Sequence, residues 1–175
     1  MQIEALKRHY LSVLVQNSPG IFMRISALLN RRGFQTESIS AGEAKEKGMV
    51  RFTISTWLGK RALDQIQKQL YKIIDVVRVS RIDGNAYIET QLALIKIWLE
   101  STNRDRIMQA VTLFDGTVID AGPDGIIVQI TGCTDKVDSF LGLIDNNDVV
   151  DIARSGSVAI NRWHKKENEN GKNLL

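Results

Sequence analysis

The sequence predicts an α+β fold in which two βαββαβ units follow one another, each an antiparallel sheet with two helices on one face. Three observations predict it. Apolar residues alternate with period two in short runs that read as half-buried strands. Between those runs they recur every three or four residues, the pattern of amphipathic helices. After a turn cluster at Asp83-Gly84-Asn85 the same order begins again.

Leu11, Val13 and Val15 alternate with Tyr10, Ser12 and Leu14 and make the first strand. Ser18 reads as the N-cap of the first helix and Pro19 as a first-turn residue, where its missing N–H has no intrahelical partner to lose. Ile21, Ile25, Leu28 and Leu29 form that helix's apolar stripe, and Arg31, Arg32 and Gly33 form its stop. Phe34 to Ala41 and Val50 to Trp57 read as strands of a hairpin joined by the charged loop Gly42 to Gly48. Leu63, Ile66, Leu70 and Ile73 share one face of a second helix, and Val76, Val77, Val79 and Ile82 form a fourth strand.

The second unit repeats the order: strand Leu92 to Leu99, helix Arg104 to Phe114, strand Thr117 to Asp120, turn Gly122-Pro123-Asp124-Gly125, strand Ile126 to Thr131, helix Asp135 to Ile144 and strand Val149 to Ala153. Gly116 answers Gly33 after the first helix of each unit, and Val149 answers Val76. The second hairpin is the shorter. The expectation is two ferredoxin-like domains, residues 8–84 and 85–163, followed by a tail, 164–175, too rich in Lys, Asn and Glu to bury a core.

The totals narrow the function. Lys and Arg number 23 against 20 Asp and Glu, a net charge of +3 with no block of like charge, which permits nucleic acid without implying it. A single cysteine excludes an internal disulfide framework. With no signal-peptide pattern and no run of apolar residues long enough to span a bilayer, the chain reads as cytoplasmic, with no membrane partner. The two histidines stand at opposite ends, and one Cys with such histidines makes no metal site, so no metal and no catalytic residue of its own are expected. Cys133 reads as a small half-buried thiol at a strand end rather than a nucleophile. The three tryptophans read as packing residues.

RNA-recognition modules share this architecture and carry stacking aromatics on the open face of their third strand. Here Val50, Phe52 and Ile54 share one face, which puts Phe52 in the core and Met49, Arg51 and Thr53 outward. The stacking platform is lacking, and nucleic acid is not an expected partner.

The stretch Gln16-Asn17-Ser18-Pro19-Gly20-Ile21-Phe22 stays open between two readings. In one, the bend caps a helix and Asn17 forms an Asx turn. In the other, the free amides and partial positive charge of the helix start receive a carboxylate, Gly20 leaves the approach clear and Asn17 offers an amide that donates and accepts, a corner suited to an amino acid.

Leu11 to Phe34, LSVLVQNSPGIFMRISALLNRRGF, resembles the opening of acetolactate synthase (acetohydroxyacid synthase) small subunits, whose usual pattern runs L-S-V-L-x-E-N-x-x-G-x-L-x-R-x-x-x-L-F-x-R-R-G-[FY]-N-I-[ED]-S-L. LDQIQKQLYKIIDVVRV (63–79), ETQLALIKI (89–97) and DIARSG (151–156) extend the resemblance over about residues 8 to 162. It implies an N-terminal ACT domain that binds a small effector, followed by a second domain of related topology. It implies a homodimer with the end-product valine, or isoleucine or leucine, bound between the strand-to-helix corner of one chain and the start of the second strand of the other. By position the effector-binding residues are then Asn17, Gly20 and Ile21 at the corner, with Gln35 and Thr36 on the facing strand. It implies a regulatory subunit that activates a large catalytic subunit, which carries thiamine diphosphate, Mg²⁺ and FAD, and confers feedback inhibition on it. A free-standing ACT-type amino-acid sensor is the alternative. The chain departs from the pattern where Gln35 stands for the usual Asn, Met23 for a smaller polar residue and Gln16 for Glu, changes that retune a pocket in which small differences in size matter.

Overall fold

The computed structural model describes residues 6–82 and 87–163; the expected boundary at Asp83-Gly84-Asn85 and the tail 164–175 lie outside the described residues. The N-terminal unit runs β1 (Lys7–Gln16), α1 (Ile21–Arg31), β2 (Thr36–Glu43), β3 (Met49–Leu58), α2 (Lys60–Leu70) and β4 (Val76–Ile82). The C-terminal unit runs β5 (Tyr87–Trp98), α3 (Arg104–Leu113), β6 (Thr117–Ala121), β7 (Gly125–Gly132), α4 (Thr134–Leu143), β8 (Val149–Arg154) and β9 (Val158–Asn161). The first sheet is ordered β2-β3-β1-β4 and the second β6-β7-β5-β8, with β9 added on β5. Every strand pairing is antiparallel. The α+β reading with two ferredoxin-like units is therefore what the chain adopts.

Each sheet buries one face under its own two helices. Leu11, Val13 and Val15 of β1 and Val50, Phe52 and Ile54 of β3 meet Ile21, Ile25 and Leu29 of α1 and Leu63, Ile66 and Leu70 of α2. A separate core joins Ala93, Ile95 and Ile97 of β5 and Val128 and Ile130 of β7 to Ile107 of α3 and Phe140 of α4. Phe52 is in the core as expected. Thr53, expected to face outward, does leave the helix side, yet it is only 3% exposed, and a groove flanking it is walled by residues of β5 and β9.

That covering rests on features the sequence pattern did not show. β5 starts at Tyr87 rather than Leu92, and its first four residues pair with β9, an unexpected strand. Tyr10, Ile82 and Ala159 form a small third core with Tyr87 packed on it, linking the two units. The turn before β9 lies directly on β2: Ser40 Oγ donates to Ser155 O at 3.0 Å and Ser157 N donates to Ser38 Oγ at 3.3 Å. The Tyr10 hydroxyl donates to Glu89 Oε2, whose carboxylate also accepts from the amide and hydroxyl of Thr134 at the start of α4. Burial, and then the adjacent Glu89 carboxylate, push the Tyr10 phenol well above its ordinary range.

The tryptophans are not buried: Trp57 is 42%, Trp98 46% and Trp163 81% exposed. Arg8 lies over the Trp57 ring at 5.0 Å, a cation–π contact on a part-exposed ring. Cys133 is exposed, at the N-cap of α4, rather than half-buried. No helix among the described residues is long and apolar enough to cross a membrane.

Candidate functional site

The corner after β1 is held from three sides. Gln16 N donates to Asp75 O and Asn17 N to Gly48 O, both at 2.9 Å, so the end of β1 is tied to the residue before β4 and to the turn before β3. Ser18 to Ile21 then form a tight turn, closed by Ile21 N donating to Ser18 O at 3.2 Å. Gly20 has φ 78° and ψ 6°, the values of the third residue of a type II turn, and Pro19 precedes it in the position that suits proline. Proline and glycine stand together there because the turn favours each in its own position.

Two expectations change. Ser18 is not the N-cap and Pro19 is not in the helix: Gly20 is the residue before α1, and the helix starts at Ile21. A Ser-Pro-Gly run satisfies both a capping pattern and a type II turn, and the positive φ that only glycine takes freely decides for the turn. Ile21, expected to offer its amide, spends it on Ser18 O, and its side chain is 1% exposed in the core. Among the described residues no acceptor meets the amides of Gly20, Phe22 or Met23. These are the donors the helix start leaves free.

Sequence reasoning did not assign Arg24. Its guanidinium donates to Ser18 Oγ at 2.6 Å and Pro19 O at 3.3 Å and forms an ion pair with Asp75. Arg24 therefore fixes the turn against the first helical turn and the residue before β4. The signal was present as the Arg four residues after the Gly of the family pattern.

Asn17 and Gly20 are exposed, and a Cβ at Gly20 would meet nothing within 4 Å, so the corner is open to a ligand. Met23, 75% exposed, stands in the first turn of the helix that follows. Gln35 and Thr36 are exposed too, but at the other end of the sheet: Thr36 and His9 both pair with Thr56, whereas Gln16 pairs with Met49. From His9 to Gln16 the strand runs roughly 23 Å at about 3.3 Å per residue. Within one chain the structure brings Asn17, Gly20 and Ile21 together and holds Gln35 and Thr36 apart from them. No group of three or more His, Cys, Asp or Glu suited to a metal occurs among the described residues.

Two family models match the chain: an acetohydroxyacid synthase small subunit-like ACT domain over residues 11–78, and the small subunit of acetolactate synthase over residues 90–163. The probable acetolactate synthase small subunit of Methanothermobacter thermautotrophicus is 37% identical over 155 residues, covering 88% of this chain and 92% of that one. The chain belongs to the acetolactate synthase small-subunit family. The isozyme 3 small subunit of Escherichia coli is 36% identical, with 90% of this chain and 98% of that chain covered. The crystal structure of the Thermotoga maritima acetolactate synthase small subunit superposes with a TM-score of 0.85 at 38% identity, over 90% of this chain and 99% of that one. The small-subunit likeness thus covers both units, the β8–β9 turn of the second included.

Proposed function

We propose that this chain is the regulatory subunit of an acetolactate synthase in the cytoplasm. As a homodimer it activates a large catalytic subunit and confers feedback inhibition by a branched-chain amino acid, valine first, in valine, leucine and isoleucine biosynthesis. The observation that carries this reading is the match to small subunits across both units, including residues 90–163, which a free-standing ACT sensor has no reason to share. Thiamine diphosphate, Mg²⁺ and FAD belong, on this reading, to the large subunit.

The geometry supports a site across two chains. β2 is an edge strand of its sheet, and its outer edge can pair with a second copy. Antiparallel pairing about the midpoint between Ile39 and Ser40 sets Thr36 of one copy opposite Glu43 of the other. Glu43 pairs with Val50, and Val50 with Val15, beside the corner. The joined sheet thus carries Gln35 and Thr36 of one copy to the end where Asn17 and Gly20 of the other stand. There the amides of Gly20, Phe22 and Met23 face the effector's carboxylate, and Asn17 and Gln35 its polar end. Each charge-assisted bond contributes about 1.5–3 kcal/mol once water is excluded.

The test is calorimetric titration of the full chain with valine, leucine and isoleucine, repeated on Gly20→Asp. Aspartate tolerates a positive φ better than most residues, so the turn survives while its carboxylate repels the ligand's. The expected result is binding of at least one of the three and its loss in the variant. Equal affinity in the variant would remove the corner from the site.

A further inference from the structure

The face of the N-terminal sheet turned away from its helices carries charge that the described residues do not answer. Leu14 on β1 lies between Arg51 on β3 and Arg78 on β4, and two residues back Ser12 lies between Thr53 and Ser80. Strand alternation sets these six on one face. Arg51, Arg78, Ser12 and Ser80 line a groove of about 270 Å³ whose wall is Ile160 and Asn161 of β9 together with Trp163.

Three other arginines of the same unit are matched to carboxylates. Arg8 meets Glu37, Arg24 meets Asp75 and Arg81 meets Asp64. Arg51 and Arg78 have no hydrogen-bond or ion-pair partner among the described residues, and no acidic residue lines their groove. The backbones of Arg51 and Arg78, on strands either side of β1, stand about 10 Å apart, from a strand spacing of about 4.8 Å. Side chains of that length close the gap on an anion only a few ångströms across. Each fork donates two parallel N–H groups to a planar or tetrahedral oxyanion, and the serine hydroxyls on the floor offer further donors.

We infer that this groove is a binding site for a small, doubly charged oxyanion, either phosphate or a dicarboxylate, gripped between Arg51 and Arg78 over Leu14, with Ser12 and Ser80 beside it two residues along the strands. It lies on the open face of the sheet and shares no residue with the effector corner, so it stands whether or not that corner binds an amino acid. Its wall comes from the C-terminal unit and its floor from the N-terminal unit. An anion bound there ties β9 to the ACT sheet and stiffens the relation between the two units.

The experiment is calorimetric titration of the full chain at pH 8 with sodium phosphate and, separately, sodium malonate, each against sodium chloride at matched ionic strength. It is repeated on Arg78→Gln, Arg78→Lys and the double variant Arg51→Gln/Arg78→Gln, with circular dichroism as the check on folding. The expected result is saturable binding of one or both anions, weakened about tenfold or more by Arg78→Gln and less by Arg78→Lys. The double variant should abolish it. Which anion binds identifies the source of the negative charge. Heats no larger than those of chloride for both anions overturn the inference, and so does unchanged binding in Arg78→Gln, a substitution at an exposed residue that decides the matter even if the double variant unfolds.

Discussion

Gly20 has two properties that separate experimentally. Its φ of 78° is hostile to a branched side chain, while the space around a Cβ there is empty. Gly20→Val should therefore destabilise the fold by about 1–2 kcal/mol from backbone strain alone, with no steric contribution, as read from the urea midpoint. Gly20→Asn should recover most of that, because Asn enters the left-handed region at lower cost. Equal destabilisation by both would mean that the turn is not what glycine serves. Tyr10 is the other residue whose chemistry is explicit. It is 1% exposed and donates to Glu89 across the junction of the two units. Tyr10→Phe removes that donor from a part-buried carboxylate and should cost about 1–3 kcal/mol in chemical denaturation. The pH dependence has a definite sign. Burial and Glu89 raise the folded phenol's pKa, so the folded state keeps a proton that the unfolded chain loses above about pH 10. Stability from this group is full below that pH and is lost as the pH climbs; the loss should be smaller in Tyr10→Phe.

At the scale of elements, β9 and the turn before it explain both a success and a failure of sequence reading. The long amphipathic segments were legible because burial follows their period: Ile21, Ile25 and Leu29 are each at most 2% exposed, and so are Leu63, Ile66 and Leu70. β9 was not legible because its apolar residues are the wrong way round. Val158 and Ile160 are 48% and 61% exposed, while the small Ala159 is the one buried. A strand of four residues with its larger side chains in water offers no hydrophobic face to read. The corner was half legible: Ser-Pro-Gly marks a strand-to-helix bend, but whether serine caps or a type II turn forms depends on backbone dihedrals that residue identities leave open. The separation of Gln35 from Asn17 within one chain was legible: β1 and β2 both run antiparallel to β3, so the helix between them returns the chain and leaves the end of β1 and the start of β2 at opposite ends of the sheet. The turn into β9 is itself testable. Gly156 has φ 75°, and a Cβ there would meet Ser40 Oγ at 2.8 Å and Ser38 Cβ at 3.1 Å. Gly156→Ala should cost about 1–2 kcal/mol or more from strain and overlap together. Adding Ser40→Ala should return part of the overlap cost, so the pair should be less destabilising than the two single changes added. Strict additivity would show that the turn does not rest on β2 in solution.

For the whole molecule, a ligand site divided between the end of β1 in one copy and the start of β2 in another makes effector binding and association one linked equilibrium. The effector then strengthens the dimer by the same factor by which dimerisation strengthens effector binding. Ala41 offers a way to disturb one side of that linkage. It is exposed on the edge strand, pairs inward with Phe52 and belongs to none of the residues assigned to the effector. Ala41→Lys puts a charge on the edge that a second copy must cover, a device by which natural edge strands refuse partners. Sedimentation over a range of protein concentrations should show about a tenfold or greater weakening of the dimer, and valine, or whichever branched-chain amino acid the titration identifies, should bind the variant more weakly by a similar factor. Adding that amino acid to the unmodified chain should lower the concentration at which dimers form. If its affinity is instead the same at concentrations where the chain is monomeric and in Ala41→Lys, the effector is held by one chain alone. Gln35 and Thr36, some 23 Å along the sheet from Asn17 by strand length, would then have no place in its site.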